Sequence, residues 1–355
     1  MKKSSGQLPF VSICTPTFNR RPFIPIMLKC FEHQIYPKER MEWIIIDDGT
    51  DKIEDLVSSH PQIKYFKYEE KMSLGKKRNI MHQKCKGSII IYMDDDDYYP
   101  PERVSHAVET LQKNPSAMCA GSSEINIYFK HINKMFQFGP YGPNHATAAT
   151  FAFRKQLLKQ TKYNNDACLA EEKEFLKNYT IPFVQLDTIK SILVFSHRHN
   201  SFDKKSLLEN KGDPNIRDTK KTVDDFVKEP EIKKFFMEDI DELLDNYEPG
   251  KPHNKPDVLN QIEELKIKRK KMVEDMQRQQ TSNPLYPKII EQVQIIQNLS
   301  LQNNVLTEKI KYMEEKMKEL LVNSVNDKKH LKEVNQKLEK LEQILTSIRP
   351  NNYIL

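Results

Sequence analysis

The sequence predicts an α/β fold built on a mostly parallel sheet, followed by a C-terminal α-helical coiled coil. Three observations carry that expectation. Apolar runs of strand length alternate with helical spans over the first 200 residues, several of those runs end in polar, Asp-rich loops, and from residue 289 a heptad pattern replaces the alternation.

In order, Phe10 to Cys14 is a short apolar strand, Thr15 to Arg20 a loop and Ile24 to His33 a helix. Trp43 to Ile46 is a strand running into Asp47-Asp48-Gly49-Thr50, with a short helix near Ile53 to Ser58 and a β-like run at Ile63 to Phe66. Trp43, the only tryptophan, heads its strand and reads as core. Lys76 to Cys85 has helical character and leads to the strand that begins at Ile89. A helix follows over Pro101 to Gln112, strands and loops over 118 to 153, a helix over 168 to 178, and a late strand from Ile189 to Phe195 that ends in Ser196-His197-Arg198-His199-Asn200. Polar loops at the carboxyl ends of parallel strands are where such folds hold ligands.

After about residue 203 the composition turns to Lys, Asp, Glu and Asn, which sets the expected divisions at 1–203, 204–284 and 285–350. The last is a helix whose 3/4 spacing selects Ile289, Gln292, Ile296, Leu299, Asn303, Leu306, Ile310, Met313, Met317, Leu320, Ser324, Asp327, Leu331, Val334, Leu338, Leu341, Leu345 and Ile348. Only Gln292, Asn303, Ser324 and Asp327 break the apolar seam, over a helix of about 90 Å. A stripe that long needs a partner, and a second copy of the chain is the expectation, making 285–350 an oligomerisation helix. Packing back onto its own domain is the alternative. Val258, Ile262, Leu265, Met272 and Met276 continue the spacing in a shorter upstream helix, set apart by Pro284 and Pro287.

Composition narrows the function classes. A hydrophobic content of 38% against 30% charged residues implies a compact part diluted by a long solvated one. The net charge of +6 is spread through the chain and does not argue for a nucleic-acid partner. Five cysteines are odd in number and lack Cys-x-x-Cys spacing, which fits a reducing, cytoplasmic setting better than a disulfide framework or a zinc site. No stretch reaches the roughly 20 apolar residues of a membrane span, and no processed leader is expected.

The most telling segment is Ile89-Ile90-Ile91-Tyr92-Met93-Asp94-Asp95-Asp96-Asp97, a buried-strand signal that stops in four carboxylates. Adjacent carboxylates taken out of water repel unless a cation holds them. Oxygen-only ligands select a hard ion, Mg²⁺ or Mn²⁺, whose usual second partner is a phosphate. The bland alternative is a solvated acidic loop.

Several separated segments together resemble family 2 glycosyltransferases of GT-A fold, inverting enzymes that use nucleotide-diphosphate sugars. The likeness covers residues 11 to about 200. Val11-Ser12-Ile13-Cys14-Thr15-Pro16-Thr17-Phe18-Asn19-Arg20 is similar to the family's opening strand and loop, which implies that the backbone around Pro16 lies against the nucleotide base. Asp47-Asp48-Gly49-Thr50 resembles its second-strand signature, with Asp48 implied as acceptor from a uracil-type ring. Leu74-Gly75-Lys76-Lys77-Arg78-Asn79 looks like the segment whose Arg, here Arg78, lies near ribose and diphosphate. The Asp run stands in the place of the family's Asp-x-Asp. Pro101 sets the register to Asp94-x-Asp96, which implies Asp96 as direct metal ligand, Asp94 near the ribose or a metal-bound water, and Asp95 as peripheral contributor. Taken singly, each motif is weak; an Asp-Asp-Gly-Thr alone is most often a turn.

Inversion requires a base for the acceptor hydroxyl. Cys168-Leu169-Ala170-Glu171-Glu172-Lys173-Glu174 resembles the family's Glu-Asp segment, with Glu172 in place of the usual Asp and Glu171 as competitor. An acidic first turn complementing a helix dipole explains the same residues. Ser196 to Ser201 resembles a His-x-x-Asn ending in which a histidine completes the metal shell or touches the diphosphate, implicating His197 first and His199 second. Residues 170–177 and 192–197 also resemble glycosyltransferase-like proteins of giant DNA viruses, which would place the chain in a host cytoplasm or viral factory. The resemblance implies a UDP-type sugar donor and a glycan or protein acceptor. A catalytically inactive scaffold assembled through the coil is the alternative of a different class.

Overall fold

The computed structural model describes residues 8–209, 212–282 and 286–348. Eleven strands are formed among them: β1 (Val11–Thr17), β2 (Met41–Asp47), β3 (Ile63–Lys67), β4 (Ile89–Tyr92), β5 (Cys119–Gly121), β6 (Ile125–Phe129), β7 (Lys134–Phe138), β8 (Ala152–Arg154), β9 (Phe183–Gln185), β10 (Val194–Ser196) and β11 (Ile216–Asp218). The main sheet runs β3-β2-β1-β4-β8-β5-β9, and a smaller one runs β10-β6-β7-β11.

β1, β2, β3 and β4 are parallel neighbours, while β8 meets β4 and β5 antiparallel. This is the GT-A arrangement expected from the sequence. Its central strands are buried at every position and mostly apolar because both faces are covered. Ile13, Trp43, Ile45, Ile89 and Ile91 enter one core. Cys14, Ile44, Ile46, Ile90 and Tyr92 enter the other. Trp43 is fully buried, stacks on Phe31 with centroids 4.6 Å apart and donates to Thr15 Oγ1 at 2.8 Å, so it is core.

The register positions the site. Val11 pairs with Ile89 and Cys14 with Tyr92, so the residues that follow β1 emerge beside the Asp run that follows β4. Met93 N donates to Cys14 O at 3.2 Å and Thr15 Oγ1 to Met93 O at 2.5 Å, carrying the pairing up to the first Asp.

Three expectations are corrected. The helix over 168–178 shrinks to one turn, Glu172–Phe175, because Lys177, Asn178 and Tyr179 take left-handed φ of 49°, 54° and 63°. The late strand is only Val194–Ser196, since residues 187–192 turn back on themselves through Asp187 and Thr188. The compact unit does not end at 203 but reaches Ile267. Val223, Phe226, Ile232, Phe235, Phe236, Ile240 and Leu244 are buried in the first core, with Phe236 stacked on Phe195 at 4.2 Å.

In the second unit, Lys268–Leu355, the described residues are helical: Pro256–Ser282 runs into it, and Tyr286–Ile348 is one continuous helix of 63 residues. That helix contains the whole seam, and Pro287 lies in its first turn; Pro284 falls outside the described residues. Among the described residues no helix is long and apolar enough to cross a membrane.

Candidate active site

A cavity of about 360 Å³ opens at the carboxyl ends of β1 and β4. Pro16, Arg78, all four carboxylates from Asp94 to Asp97, Glu171 and Glu172 line it. It is within the size range of small-ligand sites.

The Asp run is not a row of equals. Asp96 Oδ2 lies 3.1 Å from Arg20 Nη2 and 3.3 Å from His197 Nε2. Burial opposes its ionisation, but Arg20 and His197 outweigh burial and hold the carboxyl well below the usual carboxylate range. Asp95 lies 3.4 Å from Arg20 Nε, and burial pushes it up to about 7. Asp94 and Asp97 are raised chiefly by burial, and each keeps a buried Oδ1 with no hydrogen-bond partner. Arg20 stands at the end of the opening segment, and no sequence motif singled it out.

His197 comes to Asp96 because β10 ends one residue earlier. Its backbone N–H donates to Asn200 Oδ1 at 2.8 Å, which tightens the turn, and Phe23 packs on the ring with centroids 4.8 Å apart. Burial pushes the imidazole down to about 3 against the pull of Asp96, and its Nδ1 accepts from the His199 backbone N–H at 3.2 Å, which turns Nε2 toward Asp96. The ring of His199 lies elsewhere, against Gly250 and Tyr247, and its backbone carbonyl accepts from Arg20 Nη1 at 2.7 Å. Of the two histidines, the structure brings His197 to the carboxylates.

Among the described residues no three His, Cys, Asp or Glu side chains are grouped as a ready-made metal site. What is present is the Asp96–His197 pair, with unpartnered oxygens on Asp94 and Asp97 beside it. One or two protein ligands completed by phosphate oxygens is the normal holding of Mg²⁺ or Mn²⁺, so the donor set fits such an ion bound together with a diphosphate.

Asp48 sits behind the cavity wall rather than on it. Its Oδ1 accepts from Lys77 Nζ at 2.8 Å and its Oδ2 from the backbone N–H of Met72 at 2.6 Å. Lys77, unremarked in the sequence, lines the cavity. Arg78 is buried over the Tyr92 ring, 4.3 Å from its centroid, and its Nε donates to Glu171 Oε1 at 2.9 Å. Glu171 is therefore committed. Glu172 opens the next helical turn, and burial, then the Glu171 charge, raises it to about 7.

Residues 12–170 match the family model described as "Glycosyl transferase family 2". An uncharacterized glycosyltransferase of Haemophilus influenzae is 25% identical over 107 residues, 30% of this chain and 36% of that one. The poly(ribitol-phosphate) beta-N-acetylglucosaminyltransferase TarS of Staphylococcus aureus is 26% identical over 118 residues, 30% of this chain and 19% of its own. Chondroitin synthase of Escherichia coli is 27% identical over 127 residues, covering 34% and 18%. The chain thus spans about a third or less of the length of these three relatives. Among solved structures, S. aureus TarS 1–349 in complex with UDP-GlcNAc superimposes with a TM-score of 0.41 at 20% identity, over 53% of this chain and 58% of that one. At that score the likeness positions no residue or ligand here.

Proposed function

We propose, for a chain whose residues 12–170 match the family 2 glycosyl transferase model, that it transfers a sugar with inversion from a UDP-type nucleotide sugar to a hydroxyl of a glycan or protein. The observation that carries this is the single cavity that Asp96, beside His197, lines together with Arg78 and Glu172.

Glu172 takes the proton from the acceptor hydroxyl as the acceptor oxygen forms its bond to the anomeric carbon. The bond from that carbon to the diphosphate oxygen breaks on the opposite face, and the nucleoside diphosphate leaves with the electron pair. Asp96 and His197 would hold Mn²⁺ or Mg²⁺, with Asp94 beside them, and the bound ion would neutralise charge growing on the leaving group. Arg78, buried and aromatic-backed, faces the same charge from the cavity wall. Pro16 marks the base end, and Asp48 acts on it from behind the wall by ordering Lys77 and Met72. Asp95, paired to Arg20, fixes the loop.

The helix Tyr286–Ile348 supports homo-oligomerisation, since Ile296, Leu299, Leu306, Ile310, Met313, Met317, Leu320, Leu331, Val334, Leu338 and Leu341 of its seam are exposed in the single chain. Incubation of the full chain with a panel of labelled nucleotide sugars and Mn²⁺ tests the enzyme directly. Release of free sugar or transfer, lost in Asp96→Asn, is expected. If no nucleotide sugar is turned over and none binds in an Asp96-dependent way, the scaffold alternative replaces the enzyme.

A further inference from the structure

The donor cavity is closed on one side by a segment far down the chain. Tyr247 Oη donates to Asp51 at 2.8 Å, and Asn19 Nδ2 to Pro249 O at 2.9 Å. Gly250 packs so closely that an added Cβ would lie 2.7 Å from His199 Nδ1 and 2.9 Å from Asn19 O. At the far end, Cys168 N donates to Gln261 Oε1 at 2.9 Å and Gln261 Nε2 to Asp166 O at 2.6 Å, while Lys71 pairs with Asp257. Residues 247–261 therefore form a strap fastened on both sides of the cavity. Lys255, Asp257 and Val258 of the strap line it.

Lys255 has no structural explanation within the strap. It is 6% exposed, and its Nζ donates to one neutral partner, Ser201 Oγ, at 2.7 Å. Three lysines stand 5.1, 5.8 and 6.0 Å from the Phe18 ring centroid: Lys71, Lys77 and Lys255. Lys71 pairs with Asp257 and Lys77 with Asp48, whereas Lys255 makes no ion pair among the described residues. Asp95 and Asp96 are the acidic groups it feels, and Arg20 already bridges them. Burial first, and the Arg20 charge second, hold Lys255 well below the usual lysine range, because its ammonium form finds only a hydroxyl partner where it lies. The same ammonium at a cavity wall, beside the carboxylates that fit a diphosphate-bound cation, is placed to meet a phosphate as a point charge.

We infer that Lys255 is a phosphate-binding residue of the donor site, brought by the 247–261 strap to the diphosphate of the nucleotide sugar. The inference rests on the nucleotide-sugar reading of this cavity. It adds to the family-matched segment a binding group 85 positions beyond that segment's end at 170, on the segment that leads into the helical unit. The negative diphosphate supplies what Ser201 cannot.

The test is calorimetric titration of the full-length protein with UDP, GDP, CDP, ADP and dTDP in the presence of Mn²⁺, for wild type and Lys255→Met, together with thermal melts of both. Wild type is expected to bind at least one diphosphate, and Lys255→Met to bind it about 10- to 100-fold more weakly, the loss of one charge-assisted contact. Its melting temperature should hold or rise, because the variant replaces a buried amine that makes no ion pair among the described residues. Equal affinity in the two proteins overturns the inference and leaves the donor site standing. A large drop in melting temperature alongside the lost affinity also overturns it, since the ammonium would then be structural. Failure of wild type to bind any of the five removes the nucleotide reading, and Lys255's role with it.

Discussion

Arg78 Nε donates to Glu171 Oε1 at 2.9 Å, and both side chains are buried. That pair divides two adjacent glutamates that sequence alone left in competition. Glu171→Gln would leave a buried guanidinium without its carboxylate, at a cost of about 3–5 kcal/mol. A clear fall in melting temperature and weaker donor binding are expected. Glu172→Gln removes a carboxylate that burial already disfavours as a charge, so stability should hold while transfer falls by about 10²–10⁴. Melting curves and transfer assays on the two variants check the division, and equal behaviour of the two would sink it.

The pH dependence follows from the same glutamate. Burial first, and the Glu171 charge second, raise Glu172 to about 7, with Arg78 opposing. A base works only when ionised, so turnover should fall as pH drops below about 7 and level off above about 8. Glu172→Gln should lose this inflection along with most of the rate. A profile in wild type that is flat between pH 6 and 8 at saturating donor would count against Glu172.

Asp96 tests the cation. With a divalent ion held between Asp96, His197 and the donor's phosphates, chelation should weaken nucleoside diphosphate binding by about 10-fold or more. Asp96→Asn should bind as weakly as chelated wild type and respond little to added Mn²⁺. Titrations with and without EDTA read both effects. Metal-independent binding of equal strength would show that Arg20, which pairs with Asp96 at 3.1 Å, serves the diphosphate without an ion.

Much of this site was legible because its parts sit at strand ends. The Asp run, Arg78, Glu171 and Glu172 are all on the cavity, and the βα rhythm from Val11 to Tyr92 folds as the periodicity requires. What stayed hidden depends on contacts between distant positions. Arg20 reaches Asp96, 76 residues away, only through the β1–β4 register, and a single arginine in a loop carries no periodic signal. Lys77 stands beside Arg78 in the quoted segment, and nothing in the sequence ties it to Asp48, 29 residues away, with which it pairs. The reach of the compact unit past 203 was obscured by composition: residues there look solvated on average, although Phe226, Ile232, Phe235, Phe236 and Ile240 are buried. The helix expected over 168–178 failed for the opposite reason, because its acidic-apolar pattern gives no warning of the left-handed turn at Lys177 to Tyr179.

Gly75 couples the Arg78 helix to the loop that leads to Glu171. A Cβ there would lie 1.9 Å from the backbone oxygen of Asn164, and the Gly75 N–H donates to Ala167 O at 2.8 Å. Backbone cannot yield as a side-chain tip can, so Gly75→Ala should destabilise by about 1–3 kcal/mol or more. Because Gly75 lies three residues before Arg78 and four after Lys71, activity should fall further than the melting temperature implies. An unchanged melt would show that residues 164–167 shift freely and are not part of the site's frame.

The long helix supplies the last test. Leu306, Ile310, Met313, Met317, Leu320, Leu331, Val334, Leu338 and Leu341 are each more than 40% exposed in the single chain, along one seam of Tyr286–Ile348. A helix can hide such a stripe only against another surface, and each leucine so buried contributes about 1.5–3 kcal/mol. Wild type should therefore scatter light as an oligomer. The double change Leu338→Lys and Leu341→Lys sets like charges on the seam of every strand. It should reduce the mass to that of one chain at micromolar concentration, and nucleoside diphosphate affinity should stay the same, because the cavity lies in the unit that ends at Ile267. Monomeric wild type would refute self-association, and a double variant of undiminished mass would move the contact away from these leucines.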